Sequence, residues 1–169
     1  MRLKFSIAIA KLAGFASKQL LRKSGATIPG KILLSIYPKA LSVLAKNRTI
    51  ILVSGTNGKT STTRAVAKSI SALGSMVTNS TGSNLDRGAT TALMSKSDYA
   101  VLEVDELHLI RVATELKPKA VLLLNLTRDQ LHRMHEVKKV AKRWHELAKE
   151  LPNTTFVGDI DDPFVAYAL

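Results

Sequence analysis

The chain has 169 residues, 46% of them hydrophobic, and no cysteine. That is enough for a domain with a real core, and it excludes disulfides and thiolate metal sites within these residues. The net charge of +12 is unevenly spread: residues 1–85 hold 13 Lys/Arg and no acid, whereas residues 86–169 hold 12 Lys/Arg against 13 Asp/Glu. A basic first half favours an anionic partner: a phosphate ligand, an anionic membrane surface or nucleic acid. The aromatics of that half, Phe5, Phe15 and Tyr37, form no stacking series, which argues against nucleic acid. No apolar run reaches the ~20 residues that span a bilayer, so a transmembrane helix is not expected.

Residues 1–23 begin with Arg2 and Lys4, as a signal peptide does, but Lys11 ends the apolar stretch and no clean cleavage site follows. A helix fits better, with Leu3, Ile7, Ala10 and Phe15 on an apolar face and Lys4, Lys11, Lys18 and Arg22 elsewhere. Such a helix either lies on a membrane surface or packs its apolar face on the domain. Gly14 favours packing, because glycine weakens an isolated helix. Ser24 to Gly30 reads as a loop, and residues 31–46 as a second basic helical stretch interrupted by Pro38. Residues 1–48 therefore form a basic helical segment.

From residue 49 the pattern alternates. Strands are expected at Thr49–Val53, Met76–Thr78, Tyr99–Val104, Ala120–Leu126 and Thr154–Val157. Helices are expected at Lys59–Leu73, with Ala65, Val66, Ile70 and Leu73 inward, and at Gly88–Met94, Glu106–Leu116 and Val137–Leu151. Alternation of this kind implies a mostly parallel α/β sheet flanked by helices. Its active site is expected at the carboxyl ends of the strands.

The first strand leads into Ser54-Gly55-Thr56-Asn57-Gly58-Lys59-Thr60-Ser61. Two glycines allow a tight loop whose amides converge on an anion, and the helix that follows points its positive end there. Lys59 supplies a charge for outer phosphates and Thr60 a hydroxyl for a bound Mg²⁺. The full Walker pattern would place a glycine where this chain has Val53. Glu103 sits inside an apolar strand, where a carboxylate is costly unless paired or metal-bound. Asp105 and Glu106 either orient water or open the next helix. Thr81-Gly82-Ser83-Asn84 is a polar loop in which an asparagine such as Asn84 can stabilise a turn. His132 and His135 have a ligand-capable spacing, with solvated or packing roles as the alternative.

Gly-Thr-Asn-Gly-Lys-Thr at 55–60 resembles the ATP loop of the Mur ligase family, ATP-dependent amide-forming enzymes of peptidoglycan synthesis and their folate-polyglutamating relatives. Ile28-Pro29-Gly30-Lys31 with Pro38 following, and Arg128-Asp129-Gln130-Leu131 with Arg133 and Glu136, resemble the MurT branch, the ligase subunits of lipid II isoglutaminyl synthase. The chain departs from that branch at His132, Met134 and His135. Asp159-Ile160-Asp161-Asp162-Pro163 resembles a stretch after a strand of the family's central domain.

The resemblance implies a P-loop-type sheet over residues 49–169, an incomplete central domain that a full member would continue past Leu169. It implies ATP and Mg²⁺ as cofactors. Nucleotide would be held by Gly55, Thr56, Asn57, Gly58, Lys59, Thr60, Ser61 and Asn84, and metal by Thr60, Glu103 and Gln130. Lys59 and Glu103 would be catalytic. A modified lysine of several family ligases has no counterpart; its place falls near His145. The implied reaction activates the D-glutamate carboxylate of lipid II as an acyl phosphate, for amidation by ammonia from a GatD-like glutaminase partner. The implied location is cytoplasmic, or peripheral at the inner face of the plasma membrane. Two alternatives accompany this reading: a nucleotide-binding module without turnover, and another Mur-type ligase such as a folylpolyglutamate synthase.

Overall fold

The computed structural model describes residues 2–21, 27–79, 83–127 and 134–169. Five strands form one all-parallel sheet: β1 (Thr49–Ser54), β2 (Met76–Thr78), β3 (Tyr99–Glu103), β4 (Ala120–Leu123) and β5 (Thr155–Gly158). Their order is β2-β3-β1-β4-β5. The helices are α1 (Arg2–Leu21), α2 (Ile28–Ile36), α3 (Ala40–Leu44), α4 (Lys59–Ile70), α5 (Asp86–Leu93), α6 (Leu109–Leu116), α7 (Met134–Glu150) and α8 (Pro163–Ala168). Strands such as Ala-Val-Leu-Leu in β4 carry little polarity because both faces of a parallel sheet are usually covered.

The two faces are covered unequally. Ile50 and Leu52 of β1, Ala100 and Leu102 of β3, and Val121 and Leu123 of β4 enter a large core with α5, α6, α7, α8 and the N-terminal helices. Trp144 of α7 is fully buried there, its indole N–H donating to the Glu106 carbonyl at 3.3 Å. On the other face, among the described residues, α4 presses Ala67 onto Val53 and Val101, with Val66 and Ile70 alongside. The inward residues of α4 are Thr63 and Ala67, with Val66 and Ile70 half-buried; Ala65 and Leu73 are exposed. The helix ends at Ile70, so Leu73 lies past the turn that would have carried it inward.

The N-terminal helices belong to the same core. Gly30 and Leu33 of α2 and Ala40, Leu41 and Leu44 of α3 are buried, and α1 lays Ala10 into it. Ile28-Pro29-Gly30 is not loop, as the sequence suggested, but the first turn of α2. Proline suits that position because the first helical N–H groups have no partner within the helix. Gly14 lets α1 approach Pro29 closely. Phe15, expected on the packed face of α1, is instead 64% exposed on the opposite one.

Gly30 has the tightest role in this layer. Its N–H donates to the Thr91 hydroxyl of α5 at 2.9 Å, and a Cβ added there would overlap the Arg87 carbonyl oxygen. Gly30→Ala must therefore push α2 off α5. It is expected to cost about 1–3 kcal/mol, read as a lowered thermal midpoint, while the exposed Lys31→Ala leaves the midpoint unchanged.

At the amino ends of β2 and β3, Ser75 donates its hydroxyl (2.6 Å) and its N–H (3.0 Å) to one oxygen of Asp98. These bonds hold the Asp98 carboxyl below its ordinary range.

Candidate functional site

Parallel register brings the ends of three strands level. Val53 of β1 lies beside Glu103 of β3 on one side and Leu122 of β4 on the other. The buried Ser54 hydroxyl ties these ends together by donating to the Val104 carbonyl at 2.8 Å. From this central strand the chain enters the loop 55–58 and then α4. Gly55 has φ +146° and Gly58 φ +81°, conformations that side chains resist, and a Cβ at Gly55 would come within 2.9 Å of Leu124 Cβ. Gly58 caps α4 without a side chain, and its carbonyl accepts the Thr62 N–H at 2.9 Å. An α-helix supplies no internal partner for its first N–H groups, so those of Lys59, Thr60 and Ser61 are donors for an incoming anion.

The loop is clamped by the segment after β4. Asn125 accepts the Thr56 N–H on its carbonyl (2.8 Å) and the Asn57 N–H on its side-chain oxygen (2.9 Å). Its amide group donates to the Asn57 carbonyl at 3.1 Å. Thr127 N–H donates to the Thr56 hydroxyl at 3.1 Å, and the Asn57 side chain donates to the Thr127 hydroxyl, also at 3.1 Å. Thr56 and Asn57 thus spend their backbone donors on fixing the loop's shape. Asp162 braces the clamp: one oxygen accepts the Leu126 N–H at 2.8 Å, and the other caps α8 through Phe164 and Val165.

Beyond the loop, the Thr60 hydroxyl donates to Glu103 Oε2 at 2.8 Å. Lys59 Nζ donates to the carbonyls of Gly55 and Thr56 and pairs with Glu106 at 3.5 Å. Lys59 and Glu106 retain only 13% and 19% side-chain exposure, so this pair is shielded from water. Glu106 therefore does not open α6, which starts at Leu109; it faces the lysine of the loop. Asp105 closes the turn after β3, accepting the Leu107 N–H at 3.0 Å.

Glu103 is held by a residue that sequence reasoning passed over. Asn79, almost fully buried, accepts the Glu103 N–H at 2.8 Å and donates to the Glu103 carbonyl at 2.8 Å and to the Ser83 carbonyl at 3.0 Å. It joins the ends of β2 and β3 and sets where the Glu103 carboxylate stands. Asn84, the residue singled out from that loop, is half-buried and accepts the Asp105 N–H on its carbonyl at 2.8 Å. Asn79→Ala leaves Glu103 backbone groups unpaired in a buried place. A loss of about 1–3 kcal/mol is expected by denaturant unfolding.

Between α4 and the carboxyl ends of β4 and β5 no described residue covers the sheet. An open groove of about 420 Å³ lies there, lined by Asn57, Gly58, Thr62, Leu122, Leu124 and Val157 among others. Its leucine and valine floor adjoins the polar loop, a combination suited to a ligand with a flat apolar part and a charged tail.

Residues 53–169 match the family model described as the Mur ligase middle domain. The chain belongs to the Mur ligase family. It is 35% identical over 172 aligned residues to the MurT subunit of lipid II isoglutaminyl synthase (glutamine-hydrolyzing) from Streptococcus pneumoniae, an alignment covering 96% of this chain and 38% of that protein. It is 32% identical to the MurT subunit of Staphylococcus aureus strain N315, covering 98% of this chain and 39% of that protein. The chain thus spans just under two fifths of the length of these MurT relatives. In three dimensions it matches MurF ligase from Thermotoga maritima in complex with ADP, with a TM-score of 0.63, 17% identity, and coverage of 82% of this chain and 34% of that one. MurF from Acinetobacter baumannii matches with a TM-score of 0.60 and 16% identity over 85% of this chain and 32% of that one. These likenesses establish a Mur ligase fold, with the all-parallel sheet flanked by helices that the alternating sequence predicts.

Against this Mur ligase frame, Gly55 to Ser61 and Glu103 come together at one end of the sheet, and Glu106 joins them. Thr81, Gln130 and His132 lie outside the described residues, as do the side chains of Met134 and His135. His145 packs on Tyr167, their ring centroids 5.2 Å apart, where α7 meets α8. Among the described residues no group of three or more Asp, Glu or His side chains gathers to hold a metal. Mg²⁺ in phosphate sites needs no such cage, taking one or two protein oxygens, waters and the phosphates themselves. The Thr60 hydroxyl beside the Glu103 carboxylate fits that demand.

Proposed function

We propose that the chain binds ATP with Mg²⁺ at the 55–61 loop and serves, as part of a MurT-like ligase, to activate the D-glutamate carboxylate of lipid II for amidation. The observation that carries this reading is the Thr60–Glu103 contact of 2.8 Å at the start of α4, where Thr60 follows Lys59 in sequence. A hard-oxygen pair, a lysine and helix amides converge there as phosphoryl transfer requires, a reaction in which positioning and charge neutralisation do most of the work. In this role the amides of Lys59, Thr60 and Ser61 bind the outer phosphates. Lys59 exchanges the Gly55 and Thr56 carbonyls for phosphate oxygens. Thr60 and Glu103 hold the metal, whose charge, when bound, offsets that of the phosphates. Gln130 is the third proposed metal contact and Asn84 a contact to the terminal phosphate. The groove over Leu122 and Leu124 takes the nucleoside.

The chemistry then balances in two steps. A carboxylate oxygen of the substrate attacks the γ-phosphorus, the bond from that phosphorus to the β–γ bridging oxygen breaks, and ADP leaves. Ammonia next attacks the acyl carbon, loses a proton and expels inorganic phosphate, leaving the amide. A separate GatD-like glutaminase supplies the ammonia, since the MurT relatives are named as subunits of a glutamine-hydrolyzing synthase. Residues 1–48 form the basic helical segment and 49–169 the nucleotide-binding part of the central domain. The location proposed is the cytoplasmic side of the membrane that carries lipid II.

The test is amide formation from lipid II, ammonium and Mg-ATP, followed by mass spectrometry with and without the glutaminase. A mass decrease of about 1 Da per D-glutamate, dependent on ATP, is expected because –OH becomes –NH₂. The departures from the MurT pattern at His132, Met134 and His135 favour a second reading, nucleotide binding without turnover. Saturable ATP binding without amide formation would select it.

A further inference from the structure

Helix α1 is apolar on two faces, and among the described residues only one of them is packed. Ser6, Ala10 and Gly14 are buried, and Leu3 and Ile7 half-buried, against the rest of the fold. On the other side Phe5 is 70% exposed, Leu12 70%, Phe15 64% and Ile9 37%. Their spacing of four, three and three residues keeps them on one stripe, with the exposed Ala8 and Ala16 between them. Two phenylalanines and a leucine presented together to water are not the scattered apolar residues of an ordinary surface.

The charges around the stripe say what fits it. Positions 4, 11 and 18 are all lysine and recur every seventh residue, which places them in one row along the helix, and Lys11 of that row is exposed. The helix has no acidic residue, and none occurs before Asp86. An apolar stripe bordered by a lysine row, with no acid to repel anionic headgroups, is the pattern of a helix lying in a membrane interface. At 20 residues α1 is long enough to lie along a surface, while no described helix is long and apolar enough to cross one.

We infer that the Phe5/Ile9/Leu12/Phe15 face of α1 docks on an anionic lipid surface, with the lysines of positions 4, 11 and 18 at headgroup level. This deepens the reading of a membrane-borne substrate, but it is tested without nucleotide or substrate, so either can fail alone. The 169-residue chain is sedimented with vesicles of phosphatidylcholine containing about one third phosphatidylglycerol, and with phosphatidylcholine alone. Binding to the anionic vesicles alone is expected, weakening at least about tenfold between about 50 mM and about 500 mM salt. The triple change Phe5→Ser, Leu12→Ser, Phe15→Ser is expected to weaken it at least about tenfold, and Lys4→Glu, Lys11→Glu, Lys18→Glu to abolish it. Circular dichroism and thermal midpoints check that both variants stay folded. Absence of binding to anionic vesicles would overturn the inference, as would binding that the serine variant leaves unchanged. A dimer seen by light scattering without lipid and lost in the serine variant would also overturn it, assigning the stripe to a second copy of the chain.

Discussion

Lys59→Ala is expected to weaken ATP binding by about a hundredfold, since a preorganised charged donor aimed at phosphate is worth ~3 kcal/mol. Titration calorimetry with Mg-ATP reads the loss directly. The structure adds a second consequence. Lys59 pairs with Glu106 in a place where both side chains are largely shielded from water. Removing the lysine leaves that carboxylate shielded from water with no cation beside it, at a cost of about 1–2 kcal/mol of stability. The double variant Lys59→Ala/Glu106→Gln should recover most of the thermal midpoint and none of the ATP affinity. Glu106→Gln alone releases the lysine and removes a negative charge beside the phosphate site, so ATP affinity is expected to hold or to rise a few-fold. Equal losses in the two single variants would mean that Glu106 contacts the ligand rather than holding the empty lysine.

Glu103→Gln separates metal from phosphate. The change keeps an oxygen that can accept the Thr60 hydroxyl, so the 2.8 Å contact and the fold persist, but the charge that would face Mg²⁺ is gone. The benefit of Mg²⁺ to ATP affinity is expected to fall by about 10–100-fold, judged by comparing titrations with Mg²⁺ and with a chelator. Metal-free ATP should bind the variant at least as well as it binds the parent, because a carboxylate near the phosphates repels them. If Mg²⁺ helps both proteins equally, Glu103 is a structural partner of Thr60 and nothing more.

What could be read from the chain alone was what is local. Gly55 to Thr60 is a contiguous motif with fixed spacing, and the apolar runs of β1, β3 and β4 are bounded by polar turns, so loop and sheet were both visible. Residues whose role depends on a distant partner were not. Asn79 ranks with several polar residues of its loop until β2 and β3 pair and place it on the backbone of Glu103. Asn125 follows an apolar run with nothing local to mark it, and only the fold wraps it around Thr56 and Asn57, nearly 70 residues earlier. Glu106 looked like a helix opener because acids favour that position; the helix starts three residues later. Helix α8 spans six residues, too few for a period to show, although Asp162-Pro163 is a capping residue followed by proline at the first turn. Phe15 was misassigned for a different reason. The apolar residues of α1 serve two faces, and periodicity alone cannot say which face meets the domain.

The central claim is that residues 55–61 grip a polyphosphate. Equilibrium titration of the unmodified chain with Mg-ATP, Mg-ADP and AMP tests it most directly. Saturable one-to-one binding is predicted, tightest for ATP, weaker for ADP and at least about a hundredfold weaker for AMP, because the loop and Lys59 address the outer phosphates. AMP binding as tightly as ATP, or no saturable binding of ATP at all, would contradict the account.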